Sequence, residues 1–152
     1  MDQSYTADKF VFRVPDGLIY SRDDVWVEMN GNLARIGLTD LSQRTGGDVI
    51  FVEVEPRGTV LESGNRAASY ETIKVTLDVL SPVSGEVVEV NEKLYERPEL
   101  INEDPYGGGW ISIIKIEDLE TVKQRLLSAE DYFEVMKAKV DKEMRKIRGA
   151  TK

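Results

Sequence analysis

A chain of 152 residues is long enough to bury a core without disulfides or metals, and the expectation is one compact unit with a terminal appendage. It contains neither Cys nor His, which removes thiol nucleophiles, Ser–His relays, imidazole bases, disulfides and every zinc site built from those ligands. A net charge of −8 repels phosphates and favours basic protein partners, so nucleic acid is not expected; with no apolar leader or spanning segment, a cytoplasmic chain without membrane contact is.

Apolar residues recur from Val25 to Met29 and from Leu33 to Leu38 around Asn30-Gly31-Asn32, whose turn-forming residues predict a β-hairpin. Thr39-Asp40 offers an N-cap to a helical turn through Leu41 to Arg44, ended by Gly46-Gly47 before a strand from Val49 to Val54. From Gly58 to Asn91, short β-branched runs are punctuated by Gly58, Gly64, Pro82 and Gly85, the pattern of a small all-β barrel or sandwich. A weak internal repeat is centred on Lys74, with Gly64 ten residues before it and Gly85 eleven after. Two half-units folding on each other would put Lys74 at a hairpin tip.

The turn-rich run from Asn102 to Gly109 leads to Trp110 and an apolar strand through Ile116, and its length points to specific packing. Helix is predicted from Asp118 to about Leu127. Ser128 and Asp131 then stand at capping-box spacing and open a longer helix, with Asp where Glu or Gln is usual. Along it Tyr132, Met136, Val140 and Met144 recur every four residues, with Phe133 and Ile147 nearby. Met136 and Met144 are read as packing residues. Lys139, Lys142, Arg145, Lys146 and Arg148 load the later turns with positive charge. This amphipathic stripe needs a partner surface.

Several segments carry a family resemblance: Trp26-Val27, Gly37-Leu38-Thr39-Asp40, Gly47-Asp48-Val49-Ile50-Phe51-Val52-Glu53, Ser81-Pro82-Val83-Ser84-Gly85-Glu86-Val87, Leu100-Ile101-Asn102 and Asp104-Pro105-Tyr106-Gly107. In order and spacing, from about Leu18 to Phe133, the chain resembles the H proteins of the glycine cleavage system. Over a shorter stretch, Gly58, Gly64, Glu71, Lys74, Pro82 and Gly85 are similar to the wider biotinyl/lipoyl-carrier pattern. The resemblance implies a mainly β fold, a flattened β-barrel or sandwich of the barrel-sandwich hybrid type, with short helices and a C-terminal helical extension. It divides the chain into an N-terminal segment (1–17), a carrier domain (18–127) and an amphipathic helix with a basic tail (128–152).

The resemblance further implies lipoate in amide linkage on Lys74. Glu71, three residues earlier, resembles the signal read by the lipoate-attachment enzyme. Biotin carriers typically place Met on both sides of the lysine, whereas Ile73 and Val75 stand here. The modification would remove the lysine charge and supply sulfurs to a chain without Cys. As in the family, the protein would be a carrier substrate and not an enzyme, with no catalytic or metal-binding residues of its own. A pyridoxal-phosphate glycine decarboxylase would load an aminomethyl group, a tetrahydrofolate-dependent aminomethyltransferase would remove it, and a dihydrolipoyl dehydrogenase would reoxidise the arm.

Three positions depart from the family. The segment before the Trp usually reads Ser-His-Glu-Trp, but here it is Asp23-Asp24-Val25-Trp26, and Leu41 stands where a His is often seen. The family residues line the cleft that shelters the loaded arm, where a carboxylate can hydrogen-bond a cationic amine; Val25 cannot. Two further readings therefore stand beside the first: an H-like lipoate-binding carrier of another pathway, such as bacterial sulfur oxidation, and an unmodified scaffold or regulatory interaction protein.

Overall fold

The computed structural model describes residues 2–150, with side chains described through Lys146. Ile147 and Arg148, counted above with the terminal helix, lie outside the described side chains. The chain opens with two strands, β1 (Gln3–Ala7) and β2 (Phe10–Val14), which pair only with each other. Then come β3 (Ile19–Tyr20), β4 (Val25–Asn30), β5 (Leu33–Leu38), α1 (Asp40–Gly46), β6 (Val49–Val54) and β7 (Val60–Leu61). The hairpin β8 (Arg66–Thr72) and β9 (Thr76–Leu80) is followed by β10 (Gly85–Val90), α2 (Lys93–Glu96), α3 (Leu100–Glu103) and β11 (Ser112–Ile116). Two helices, α4 (Leu119–Arg125) and α5 (Ala129–Ala150), end the described chain.

Local signals act as expected through the first half. Gly31, at φ +63°, supplies the left-handed residue that the β4–β5 turn needs. Thr39 caps α1, its Oγ1 accepting the Ser42 N–H at 3.4 Å, and Gly47 at φ +91° stops the helix. Further along, Asn102 and Glu103 lie in α3 and not in the predicted loop, while Asp118 caps α4, which ends at Arg125. Leu127 leaves the helix to bond Tyr20 through the backbone in both directions.

The strands form a six-stranded sheet in the order β3-β4-β5-β11-β10-β7 and a three-stranded sheet in the order β6-β8-β9. Their inward side chains meet in one core, with Ile36, Val87 and Ile114 from the larger sheet and Val52, Ala68, Tyr70 and Val79 from the smaller. Neither sheet closes on itself. The result is the barrel-sandwich hybrid of the expected fold class, with its C-terminal helix.

A second core lies outside the sandwich. Phe12 and Val14 of β2, Tyr20, Trp26, Leu41 and the α5 stripe Ala129, Tyr132, Met136 and Val140 pack together. Each large side chain removed from water here contributes about 1.5–3 kcal/mol. Tyr20 and Tyr132 stack with ring centroids 4.6 Å apart and planes 7° from parallel. The partner surface that the helix stripe requires is thus the N-terminal hairpin together with the end of the larger sheet.

Candidate functional site

Lys74 stands in the turn between β8 and β9, where the ladder closes with Glu71 opposite Thr76. The turn is held by Thr72, which is 4% exposed. Its N–H donates to the Val75 carbonyl at 2.9 Å, and its Oγ1 accepts the N–H groups of Lys74 at 3.3 Å and Val75 at 3.2 Å. One buried threonine therefore fixes the backbone on both sides of an outward lysine. Lys74 makes no ion pair among the described residues, and its stem runs beside Gly47, where an added Cβ would lie 3.5 Å from Cε and 3.9 Å from Nζ. Glu71 is exposed on the outer face of β8, opposite Phe51.

Gly47 is itself held from a distance. Asn102, at the end of α3, accepts the Val49 N–H through Oδ1 at 2.8 Å and donates through Nδ2 to the Gly47 carbonyl at 3.0 Å and to Gln43 Oε1 at 3.1 Å. One amide side chain ties the end of α1 to the start of β6 beside the lysine hairpin. The rest of the turn-rich run is structural in the same way. Trp26 Nε1 donates to the Pro105 carbonyl at 2.9 Å, and Tyr106 Oη donates to the Arg13 carbonyl at 2.6 Å while accepting the Asp40 N–H at 3.0 Å.

A cleft of about 390 Å³ opens below the hairpin. Tyr70, Leu77 and Asp78 of the hairpin form one wall, Leu41, Thr45 and Gly46 of α1 another, and Lys139, Lys142, Glu143 and Lys146 of α5 a third, with Asp24 between them. Burial raises the Tyr70 hydroxyl above its usual range, so this phenol stays neutral at physiological pH. The apolar part of the cleft comes from Leu41, Leu77 and the Tyr70 ring.

The three departures take separate places. Val25 is 1% exposed within the sandwich core, where it contributes packing alone. Leu41 is buried against the second core and also lines the cleft. Asp24 sits at φ +66°, and its carboxylate accepts the Tyr132 hydroxyl at 2.8 Å and Lys139 Nζ at 2.9 Å. It is an anchor for α5, and its charge is met within the chain. Tyr132 Oη also lies 3.0 Å from Thr39 Oγ1, whose proton it can accept. Burial, then the Asp24 charge, raises this phenol far above its ordinary range.

A two-sheet sandwich that raises one unpaired lysine on a rigid hairpin beside an apolar-floored cleft has the architecture of a carrier domain. The sequence pattern described as Glycine cleavage H-protein matches residues 18–139. The chain is 44% identical over 119 residues to the glycine cleavage system H protein of Carboxydothermus hydrogenoformans, covering 78% of this chain and 91% of that one. With the glycine cleavage system H protein 4 of Aquifex aeolicus it shares 36% identity over 143 residues, 94% of this chain and 81% of the relative, an alignment longer than the family match. The crystal structure of a glycine cleavage system H protein from Mycobacterium marinum superposes with a TM-score of 0.68 at 28% identity, covering 78% of this chain and 95% of that chain. This chain belongs to the glycine cleavage H-protein family.

Proposed function

We propose that Lys74 carries lipoate in amide linkage, and that the protein is the lipoyl-carrying H protein of a glycine cleavage system, shuttling an aminomethyl group between partner enzymes. The observation that carries this reading is the exposed, unpaired Lys74 on a turn pinned by buried Thr72, in a chain of this family. When bound, lipoate supplies the disulfide and dithiol chemistry that a chain without Cys lacks. The residues present fit such a group. Thr72 holds the attachment point, Gly47 lies alongside its stem, and Tyr70, Leu41 and Leu77 offer apolar surface within the neighbouring cleft.

Glu71, exposed three residues before the lysine on the same hairpin, is available to the lipoate-attachment enzyme as its recognition residue. The other partners in this proposal are a pyridoxal-phosphate glycine decarboxylase, a tetrahydrofolate-dependent aminomethyltransferase and a dihydrolipoyl dehydrogenase. Such a protein turns nothing over alone. A cytoplasmic location belongs to the same proposal, as does the division into segment 1–17, carrier domain 18–127 and terminal helix with tail 128–152. No helix among the described residues is long and apolar enough to cross a membrane.

Intact-mass measurement on protein from lipoate-supplied cells tests the attachment. The wild type is expected to gain one lipoyl group and Lys74→Arg none, with the fold kept; an unmodified wild type rejects the carrier reading. Exchange of carbon dioxide into glycine with the decarboxylase then tests the cargo. Full lipoylation without exchange would move the protein to another lipoate-dependent pathway.

A further inference from the structure

The outer face of the three-stranded sheet has an unusual composition beside Lys74. In β6 the pairing passes from Val49 opposite Thr72 to Phe51 opposite Glu71, so Ile50 is the extra residue of a β-bulge. Regular alternation would send one of two adjacent residues inward. The bulge instead leaves Ile50 and Phe51 both outside, 52% and 55% exposed, between buried Val49 and Val52. At the hairpin tip Ile73 is 86% and Val75 41% exposed. Four of the eight large apolar side chains exposed among the described residues thus surround one lysine. Scattered singly they would need no explanation.

Carboxylates border this apolar tip. Glu71 shares a rung with Phe51, and Glu53 and Asp78 flank Ser69 on the next; all three acids are exposed. An apolar centre within a charged rim is the anatomy of a protein-docking surface. A second copy of this chain is a poor occupant, because it would bring the same carboxylates face to face within a protein of net charge −8. The complement is an apolar depression bordered by Lys or Arg.

We infer that this face, centred on Ile50, Phe51, Ile73 and Val75 and edged by Glu53, Glu71 and Asp78, is where the enzyme that loads the arm docks. The inference rests on the reading of Lys74 as the lipoyl attachment point. An enzyme that takes the arm's end into its active site must bring the entrance of that site against the surface around the attachment point. The acidic rim steers a basic entrance towards the lysine, and the bulged apolar pair then excludes water from the contact.

The test uses full-length lipoylated protein, with loading verified by mass, in the glycine–carbon dioxide exchange assay at varied carrier concentration. Phe51→Ser and Ile50→Ser, both at exposed positions, are each expected to raise KM for the carrier about tenfold with kcat unchanged, the loss typical of truncating one strong contact residue. Added salt should raise the wild-type KM, and Glu53→Lys should raise KM at low salt while flattening that dependence. Val60→Ser, a still more exposed apolar position on β7 (74% exposed), is the control and should leave KM unchanged. If Phe51→Ser and Ile50→Ser keep the wild-type KM while the wild type turns over normally, the docking assignment is wrong and the carrier reading stands. Should these variants emerge unlipoylated, the face belongs to the attachment enzyme and the assignment also fails. A lipoylated wild type that supports no exchange rejects the glycine reading itself, and this docking assignment with it.

Discussion

Tyr132→Phe removes a single oxygen from the seam between α5 and the sandwich, and so isolates the polar part of that seam from its packing. The ring, 0% exposed and stacked on Tyr20, stays in place. What goes is the bond donated to the Asp24 carboxylate at 2.8 Å and the contact with Thr39 Oγ1 at 3.0 Å. A hydrogen bond to a charged group contributes about 1.5–3 kcal/mol. The Asp24 side chain is 18% exposed and keeps Lys139 at 2.9 Å, which places the loss near the lower bound, about 1.5–2 kcal/mol. For a domain of this size, roughly 2–4 °C per kcal/mol gives a fall in Tm of about 3–8 °C. Urea unfolding followed by circular dichroism should show a lower midpoint at constant slope. Asp24→Asn, which tolerates the same left-handed backbone, should cost a similar amount and be non-additive with Tyr132→Phe. A loss below about 0.5 kcal/mol, within the range of an ordinary surface change, would show that the Asp24 network does not fasten the helix and that apolar contact alone does.

Burial holds the hydroxyls of Tyr20, Tyr70, Tyr106 and Tyr132 above the ordinary phenol value of 10.0. In the unfolded chain they release protons near that value while the native state keeps them, so stability present below it is lost as pH rises further. The urea midpoint should therefore drop steeply above about pH 10, with a shallower slope in Tyr132→Phe; a flat profile would contradict the burial of these phenols. Asn102→Ala leaves the Val49 N–H and the Gly47 carbonyl without their side-chain partner and should destabilise by about 1–3 kcal/mol in chemical unfolding. Thr72→Val removes the acceptor of the Lys74 and Val75 N–H groups. It should cost about 0.5–1.5 kcal/mol and slow lipoylation of an intact Lys74 in a mass-resolved time course; an unchanged rate would mean that the attachment enzyme does not need a rigid turn.

Much of the carrier unit is legible in the chain because its signals are local. Gly31, Thr39 and Gly47 each act on backbone within a few residues, and the structure puts a turn, an N-cap and a helix stop at those places. The repeat around Lys74 predicts a hairpin tip, and the β8–β9 register places it there. The N-terminal hairpin carried no such signal. Its strands hold Gln3, Ser4, Thr6 and Arg13, its turn needs Asp8 at φ +56°, and its inward residues are buried by distant partners, the α5 stripe together with Tyr20, Trp26 and Leu41. Asn102 stands out in the family pattern, yet its role as a clamp on Gly47, 55 positions away, has no expression in neighbouring residues.

Asp24 marks the boundary between the two kinds of knowledge. Sequence alone determined that an acid and a valine stand where the family has other residues, and that the terminal helix carries an apolar stripe in need of a surface. Only the tertiary structure decided that these facts belong together. The carboxylate of Asp24 and the hydroxyl of Tyr132 are 108 positions apart in the chain and 2.8 Å apart in space. Hydrogen bonds and ion pairs act over ångströms, so residues distant in sequence acquire a joint function only where folding makes them neighbours.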